Sequence, residues 1–264
     1  MLRQEKANVR AFYDTFGWGK DGRGTYNDTA SFVDLRTVLS RYYHQTQVRV
    51  SKYLKPSGGY FLDAGSGPLS QPEYLTYSAE YAHRVCVDLS ATALRHVRSK
   101  LGSHALCVVG DLVHLPFGQD VFDAVLASHV LYHIPEDEQL NAMQELYRTM
   151  KGGAACVILY MWPTSAMTKL GELIDKPAAS DARPAQAELL YFQPRDYRWL
   201  THALPAEWRV DIRSWRSVDM TFSRGLIAEN LLGATILRIM YFLEDRLPHL
   251  MGRLGRYPMI VIQK

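Results

Sequence analysis

Cysteine is scarce in this chain of 264 residues, and the three present (Cys86, Cys107 and Cys156) stand in apolar surroundings. That excludes a disulfide framework and reads as small core residues of a reducing compartment. An excess of one charge is missing too: 30 Lys and Arg against 27 Asp and Glu leave a formal +3. Such a balance argues against an extended nucleic-acid surface, which needs a concentrated basic stripe, although a local basic patch stays open. No apolar run suits a membrane span, because the stretch from Leu226 to Leu243 is interrupted by Glu229, Asn230 and Arg238 and reads as an amphipathic helix. The charged start, Met1-Leu-Arg-Gln-Glu-Lys6, has no apolar run behind it, so no secretory signal is expected. Repeats and low-complexity segments are absent. What is present, 47% hydrophobic and 22% charged residues, describes an ordinary globular protein long enough for a sizeable core. A soluble cytoplasmic protein is expected.

Three textures follow one another. Residues 1–55 are aromatic and polar, with a Gly-rich break at 17–24 between two helical patterns. The second pattern, from about Phe32 to Leu54, places Phe32, Leu35, Val38, Leu39 and Tyr42 at helical spacing and stops at Lys55-Pro-Ser-Gly-Gly59. Residues 60–160 alternate strand and helix. Strands are predicted at 60–63, 84–88, 105–109, 122–127 and 154–160, and helices at 91–101 and about 136–150, the latter stopped by Gly152-Gly153. Continuous apolar runs separated by helices signal a parallel sheet covered on both faces. Residues 161–264 are less regular: a Pro- and Ala-rich connection at 176–187, a loop entering a helix at 191–200, a sixth strand within 208–220, a helical insertion at about 225–247, and a last strand at 257–263 that must pair antiparallel with a sheet already built.

The turn after the first strand reads Asp63-Ala-Gly-Ser-Gly67-Pro-Leu-Ser70. Two glycines one residue apart let backbone amides approach a ligand closely, which an ordinary strand-to-helix turn would also explain. Its company sharpens it. Asp88 ends the second strand, 25 residues after Asp63 (88 minus 63), where an acid can accept from both hydroxyls of a ribose. Asp111 ends the third strand on the same carboxyl edge. A dinucleotide gives no reason for that third carboxylate, whereas an adenine amino group does. A dinucleotide oxidoreductase would also prefer a glycine where Ser70 stands.

With Leu62-Asp-Ala-Gly-Ser-Gly-Pro68, Val87-Asp-Leu-Ser90, Gly110-Asp-Leu-Val-His-Leu-Pro-Phe117, residues 122–134 and Leu146-Tyr-Arg-Thr-Met-Lys-Gly-Gly153 in this order, the sequence resembles the class I S-adenosylmethionine-dependent methyltransferases over about residues 60–160. The resemblance implies an α/β, Rossmann-like, doubly wound and mostly parallel seven-stranded sheet with an antiparallel final strand. It also implies one domain: a helical N-terminal cap (1–55), a cofactor-binding core (56–160), and substrate-side insertions with the closing strands (161–264). The cofactor would be S-adenosylmethionine and the product S-adenosylhomocysteine. Asp63 would sit near the methionine amino group, with Gly65 and Gly67 along the methionine and ribose. Asp88 would hold the ribose hydroxyls, Leu89 would pack on adenine, and Asp111 with the Leu112 backbone would meet the adenine amino group. Ser128 and His129 would expose backbone beside the methionine part. The family often has a third glycine where this chain has Leu69.

Methyl transfer needs a base only if the acceptor loses a proton. His133, just past the fourth strand, is the candidate, because imidazole titrates near neutral pH. Tyr13 and Tyr26, beside the Gly-rich break, are candidates to contact the cofactor or support His133. His129 and His133 stand four apart without Glu or Cys in a metalloenzyme pattern, so no metal is expected. Trp162, Met167, Tyr191, Phe192, Met240, Tyr241 and Phe242 suit an enclosed apolar pocket for a small organic acceptor methylated on oxygen, nitrogen or carbon, although many of them must instead be core, as apolar residues at helical spacing usually are. Dispersed Arg and Lys speak against a nucleic-acid partner. RNA or protein methylation, and a non-catalytic domain of the same fold, are the competing readings. Monomer and homodimer stay open.

Overall fold

The structure is a computed structural model that describes residues 2–174 and 190–264. The chain opens with α1 (Gln4–Phe12), a π-helical turn (Tyr13–Gly17), α2 (Asn27–Phe32) and α3 (Thr37–Val50). Then follow β1 (Gly58–Ala64), β2 (Tyr81–Asp88), α4 (Ala91–Leu101), β3 (Ala105–Val109), β4 (Phe122–Ser128), α5 (Gln139–Thr149) and β5 (Met150–Leu159). The remainder comprises α6 (Ala166–Ile174), α7 (Tyr197–Ala203), β6 (Arg209–Arg216), α8 (Met220–Leu226), α9 (Leu231–Arg246), α10 (Pro248–Leu254) and β7 (Tyr257–Gln263). Among the described residues no helix is long and apolar enough to cross a membrane.

The seven strands form one sheet in the order β3-β2-β1-β4-β5-β7-β6. β1 pairs parallel with both β2 and β4, whereas β7 slots antiparallel between β5 and β6. The chain winds outward from β1 in one direction through β2 and β3, then crosses back to β4. A crevice forms at that reversal, outside the carboxyl ends of the strands. Because β7 runs the other way, its first residue, Tyr257, shares this edge with the last residue of β6, Arg216, its register partner.

Alternation along β1 explains its place at the centre. Phe61 joins Val50, Tyr77, Leu126, Val157 and Trp215 on one face; Leu62 joins Val85, Val125, Leu146 and Ile158 on the other. Both are fully buried, each worth about 1.5–3 kcal/mol by transfer of its side chain from water. With both faces covered, no residue of the strand core can be polar unless it is paired, a condition that returns below for Asp63 and Arg84.

Several boundaries differ from the sequence expectation, for local reasons. The helix expected over 32–54 is interrupted: Val33 is extended, the Asp34 carboxylate accepts from the Arg36 amide (3.2 Å), and Leu35 is exposed. α5 stops at Thr149, so Gly152 and Gly153 lie inside β5 and are not a helix stop. The single helix expected over 225–247 is divided between the end of α8 and α9, since the Asn230 side chain caps α9 by accepting from the Gly233 amide (3.0 Å). No α-helix joins β1 to β2, only a 3-10 turn (Pro72–Thr76). Cys107 is exposed, because β3 is an edge strand, while Cys86 and Cys156 are buried. The connection at 176–187 lies outside the described residues.

Candidate active site

β1 delivers the chain into the crevice through a turn that needs glycine. Gly65 and Gly67 have φ of +70° and +54°, in the left-handed region. A Cβ on Gly65 would lie 2.7 Å from Val130 Cβ, so the β1 and β4 turns close on each other only without a side chain there. A Cβ on Gly67 would press on the Trp18 ring at 3.1 Å. Leu69, standing where the family often has glycine, takes φ +52° and is buried, so the left-handed turn survives the replacement.

Across this turn stands Asp88. One oxygen accepts from the Gly67 amide (2.9 Å), the other from the Ser90 amide (2.8 Å). Burial pushes its acid up to about 6, against the pull of those two amides. Each carboxylate oxygen has room for one more donor, so the group can take two hydroxyls side by side. Ser90, next along, caps α4 by accepting from the Ala93 amide (3.0 Å).

The two other strand-end acids are already paired. Asp63 (2% exposed) receives Nε and Nη2 of the fully buried Arg84 at 3.0 and 2.5 Å. Asp111 accepts from the Val113 amide (3.1 Å) and meets Lys6 Nζ of α1 at 2.6 Å, with Glu138 2.5 Å from the same nitrogen. Lys6 thus fastens the N-terminal helix over the crevice, and Arg3 adds a second clamp on Asp137 (2.8 Å). Isolated charges would be prohibitively costly at this depth; paired ones are tolerated.

Another part of the crevice is built around His133. Its Nδ1 lies 2.8 Å from the Tyr191 carbonyl and its Nε2 3.2 Å from the Tyr13 hydroxyl. The carbonyl can only accept, so Nδ1 carries the proton and the neutral ring offers Nε2 to the Tyr13 hydroxyl. Burial lowers His133 to about 4, which keeps it neutral. The second side-chain partner of Tyr13 is Asp28, pushed by burial up to about 7. While the Tyr13 hydroxyl donates its hydrogen bond to His133, Asp28 can bond the same oxygen only as the neutral acid. Asp28, Tyr13 and His133 therefore form one chain whose proton count is linked. The π-helical turn positions Tyr13, which stacks on Trp18 at a centroid distance of 4.5 Å.

These groups line one cleft, with about 1110 Å³ of empty space counted out into its open mouth. Asp63, Gly65, Gly67, Asp88, Leu89, Asp111, Leu112, Ser128, His129, His133 and Tyr13 are all on its wall. Tyr26 is not: its hydroxyl turns outward to His96 Nδ1 (3.2 Å) and Lys100 Nζ (3.3 Å), with Trp18 edge-on against its ring. The expected aromatic pocket is corrected as well. Trp162 donates to the Gly252 carbonyl and is core; Met240 packs with Leu39 and Phe222; Phe242 is exposed on α9. Of that set, Tyr191 meets His133 through its backbone carbonyl and Phe192 through its ring. Lys6, Trp18, Asp28 and Arg84 are on the wall but escaped the sequence reading. A signal existed for two: Lys6, Val9 and Tyr13 share one helix face, and Arg84 is a charge inside a strand buried on both sides.

The methyltransferase domain family matches residues 62–158. The demethylmenaquinone methyltransferase of Mycobacterium tuberculosis is 30% identical over 198 residues, 71% of this chain and 77% of that protein. The tRNA (carboxymethyluridine(34)-5-O)-methyltransferase of Arabidopsis thaliana is 32% identical over 129 residues, 46% of this chain and 30% of that one. Among solved structures, phosphoethanolamine N-methyltransferase 1 of Haemonchus contortus shares the fold with a TM-score of 0.64 at 10% identity, over 100% of this chain and 50% of that one. On the fold, the motif order and this similarity, the chain belongs to the class I S-adenosylmethionine-dependent methyltransferases.

Proposed function

We propose that the protein transfers the methyl group of S-adenosylmethionine to a small organic acceptor held under α1, on oxygen, nitrogen or carbon. The observation that carries this reading is the Gly65–Gly67 turn facing Asp88, whose two oxygens each keep room for a ribose hydroxyl. Asp88 then fixes the ribose, Leu89 packs on the adenine, and Asp111 with the Leu112 backbone meets its amino group beside Lys6. Asp63, its charge balanced by Arg84, faces the methionine ammonium near the backbone of Ser128 and His129.

When bound, the cofactor supplies a methyl already activated on a sulfonium sulfur, so the protein's task is alignment and, for a protic acceptor, removal of one proton. The methyl–sulfur bond breaks as the acceptor–methyl bond forms. With Asp28 ionised, the Tyr13 hydroxyl donates to Asp28 and leaves His133 Nε2 free for the acceptor's proton. With Asp28 neutral, Tyr13 occupies Nε2 and the base is blocked. Activity should therefore rise with pH through about 7, the value to which burial pushes Asp28.

Support for a small acceptor comes from the enclosure of the cleft by α1 and from the dispersal of Arg and Lys, which offers no stripe for phosphates. The Mycobacterium tuberculosis relative, aligned over 71% of this chain, acts, by its name, on demethylmenaquinone. A metabolite panel incubated with methyl-labelled S-adenosylmethionine tests the reading. His133→Ala should lower turnover at least tenfold and leave S-adenosylhomocysteine affinity within about threefold, a typical share for general-base catalysis. Full activity of that variant would remove His133 from the mechanism.

A further inference from the structure

Four Lys or Arg side chains are buried among the described residues, and three of them meet carboxylates: Lys6 with Asp111 and Glu138, Arg49 with Glu244 at 2.9 Å, and Arg84 with Asp63. The fourth, Arg216, is 7% exposed and has no carboxylate at ion-pair distance among the described residues. Rings surround it. Its guanidinium carbon lies 4.4 Å from the ring centre of Tyr257, 4.7 Å from Tyr43 and 4.8 Å from Trp215. The Tyr257 hydroxyl is its side-chain hydrogen-bond partner, and its Nε is buried with none.

The position of this cation matters. Arg216 ends β6 opposite Tyr257, on the sheet edge where the cleft opens. His129, on the cleft wall, has its ring 4.8 Å from Trp215 and 5.9 Å from Tyr257. His129 holds φ +58°, a strained conformation for a non-glycine residue, and its Nδ1 is also buried without a partner. Burial, then the Arg216 charge, drive His129 down to about 3, so the imidazole stays neutral and adds no second positive charge. Tyr74, another cleft residue, feels the same charge.

Ring faces recover part of what burial of a guanidinium costs, but they do not neutralise it. A planar fork with unused donors matches a carboxylate or a phosphate, and the rings beside it suit an apolar body. We propose that Arg216, with His129 and the rings of Tyr43, Trp215 and Tyr257, forms an anion subsite adjoining the acceptor end of the cleft, so that the acceptor carries an acidic group. The site stands on its own geometry; its assignment to the acceptor rests on the methyltransferase reading.

The test titrates benzoate, phenyl phosphate and benzamide into protein saturated with S-adenosylhomocysteine, followed by calorimetry and by tryptophan fluorescence, which Trp215 should report. At least one anion should bind tenfold or more tighter than benzamide, and the stronger of the two identifies the acid as carboxylate or phosphate. Arg216→Met should abolish the preference. If that variant fails to unfold cooperatively on heating, Arg216→Lys decides: it should weaken the anions at least threefold and leave benzamide unchanged. Equal binding of all three probes, or an unaltered preference in a folded Arg216 variant, would overturn the proposal. Loss of S-adenosylhomocysteine binding would strike the methyltransferase reading instead; the same titrations on the free protein then still decide the anion site.

Discussion

Lowering the pH from 7.5 to 5 should loosen the cofactor through one carboxylate, Asp88. In the free protein burial pushes this acid up to about 6. Ribose hydroxyls donate to the ionised form, and a protonated Asp88 would turn one acceptor into a donor already crowded by the Gly67 or Ser90 amide. Binding must then release a proton below pH 6. The penalty factor, one plus ten to the power of (6 minus pH), is about 1 at pH 7.5 and about 11 at pH 5, or about 1.4 kcal/mol. Calorimetric titration of S-adenosylhomocysteine at several pH values measures it, and buffers of different ionisation enthalpy count the proton directly. Asp88→Asn supplies the control: it removes this component of the slope and, by turning two charge-assisted bonds into neutral ones, costs about 2 kcal/mol at pH 7.5. Any titration of the ligand's own groups persists in the variant and subtracts out. Wild-type affinity that is flat between pH 7.5 and 5, or an equal slope in Asp88→Asn, would refute the reasoning.

Other perturbations follow from the same geometry. Arg84→Met strands Asp63 at 2% exposure, and breaking a buried pair costs about 3–5 kcal/mol, so thermal denaturation should show a fall of roughly 10 °C; a loss below about 1 kcal/mol would mean that Asp63 finds water or another partner. Gly65→Ala forces Cβ against Val130 in a left-handed turn and should weaken S-adenosylhomocysteine at least tenfold, while Gly102→Ala, also at positive φ but with open space around it, should leave affinity unchanged. Asp28→Asn should stabilise the protein at high pH. Burial raises the folded acid from 3.8 to about 7, so its favourable contribution is complete below 3.8, declines as pH rises, and is gone above 7. The variant, lacking this one titration, should gain about 2–4 kcal/mol on the wild type between pH 4 and 8 by chemical denaturation; parallel curves would contradict the burial of Asp28.

Strands announced themselves where burial is two-sided. Residues 85–87 and 124–127 are buried apolar runs inside β2 and β4, and β7 begins and ends at the expected residues; β3 does so as well, although it is an edge strand. Helix breaks were harder, because they depend on single side chains turning back onto the backbone: Asp34 on Arg36, and Asn230 on Gly233. Both are cap-forming residue types, so the signal was in the sequence but weaker than the periodicity around it. The cleft wall was legible in part because three of its acids, Asp63, Asp88 and Asp111, stand at the ends of consecutive strands. Asp28 and Arg216 were not, since each acquires its meaning from chain far away: Asp28 from the fold of the N-terminal segment over His133, and Arg216 from the antiparallel entry of β7, which brings Tyr257 beside it. On α9, Tyr241 packs against the core and Phe242 is exposed, so neither is on the cleft wall; apolar residues at helical spacing pack a helix more often than they line a pocket.

The central claim, that the adenosyl group lies between the Gly65–Gly67 turn and Asp88, is tested most directly by a crystal structure of the S-adenosylhomocysteine complex. The account expects both ribose hydroxyls at about 2.5–3.0 Å from the Asp88 oxygens, with the adenine amino group at Asp111. A ligand bound elsewhere, or a ribose whose hydroxyls turn away from Asp88, would contradict it.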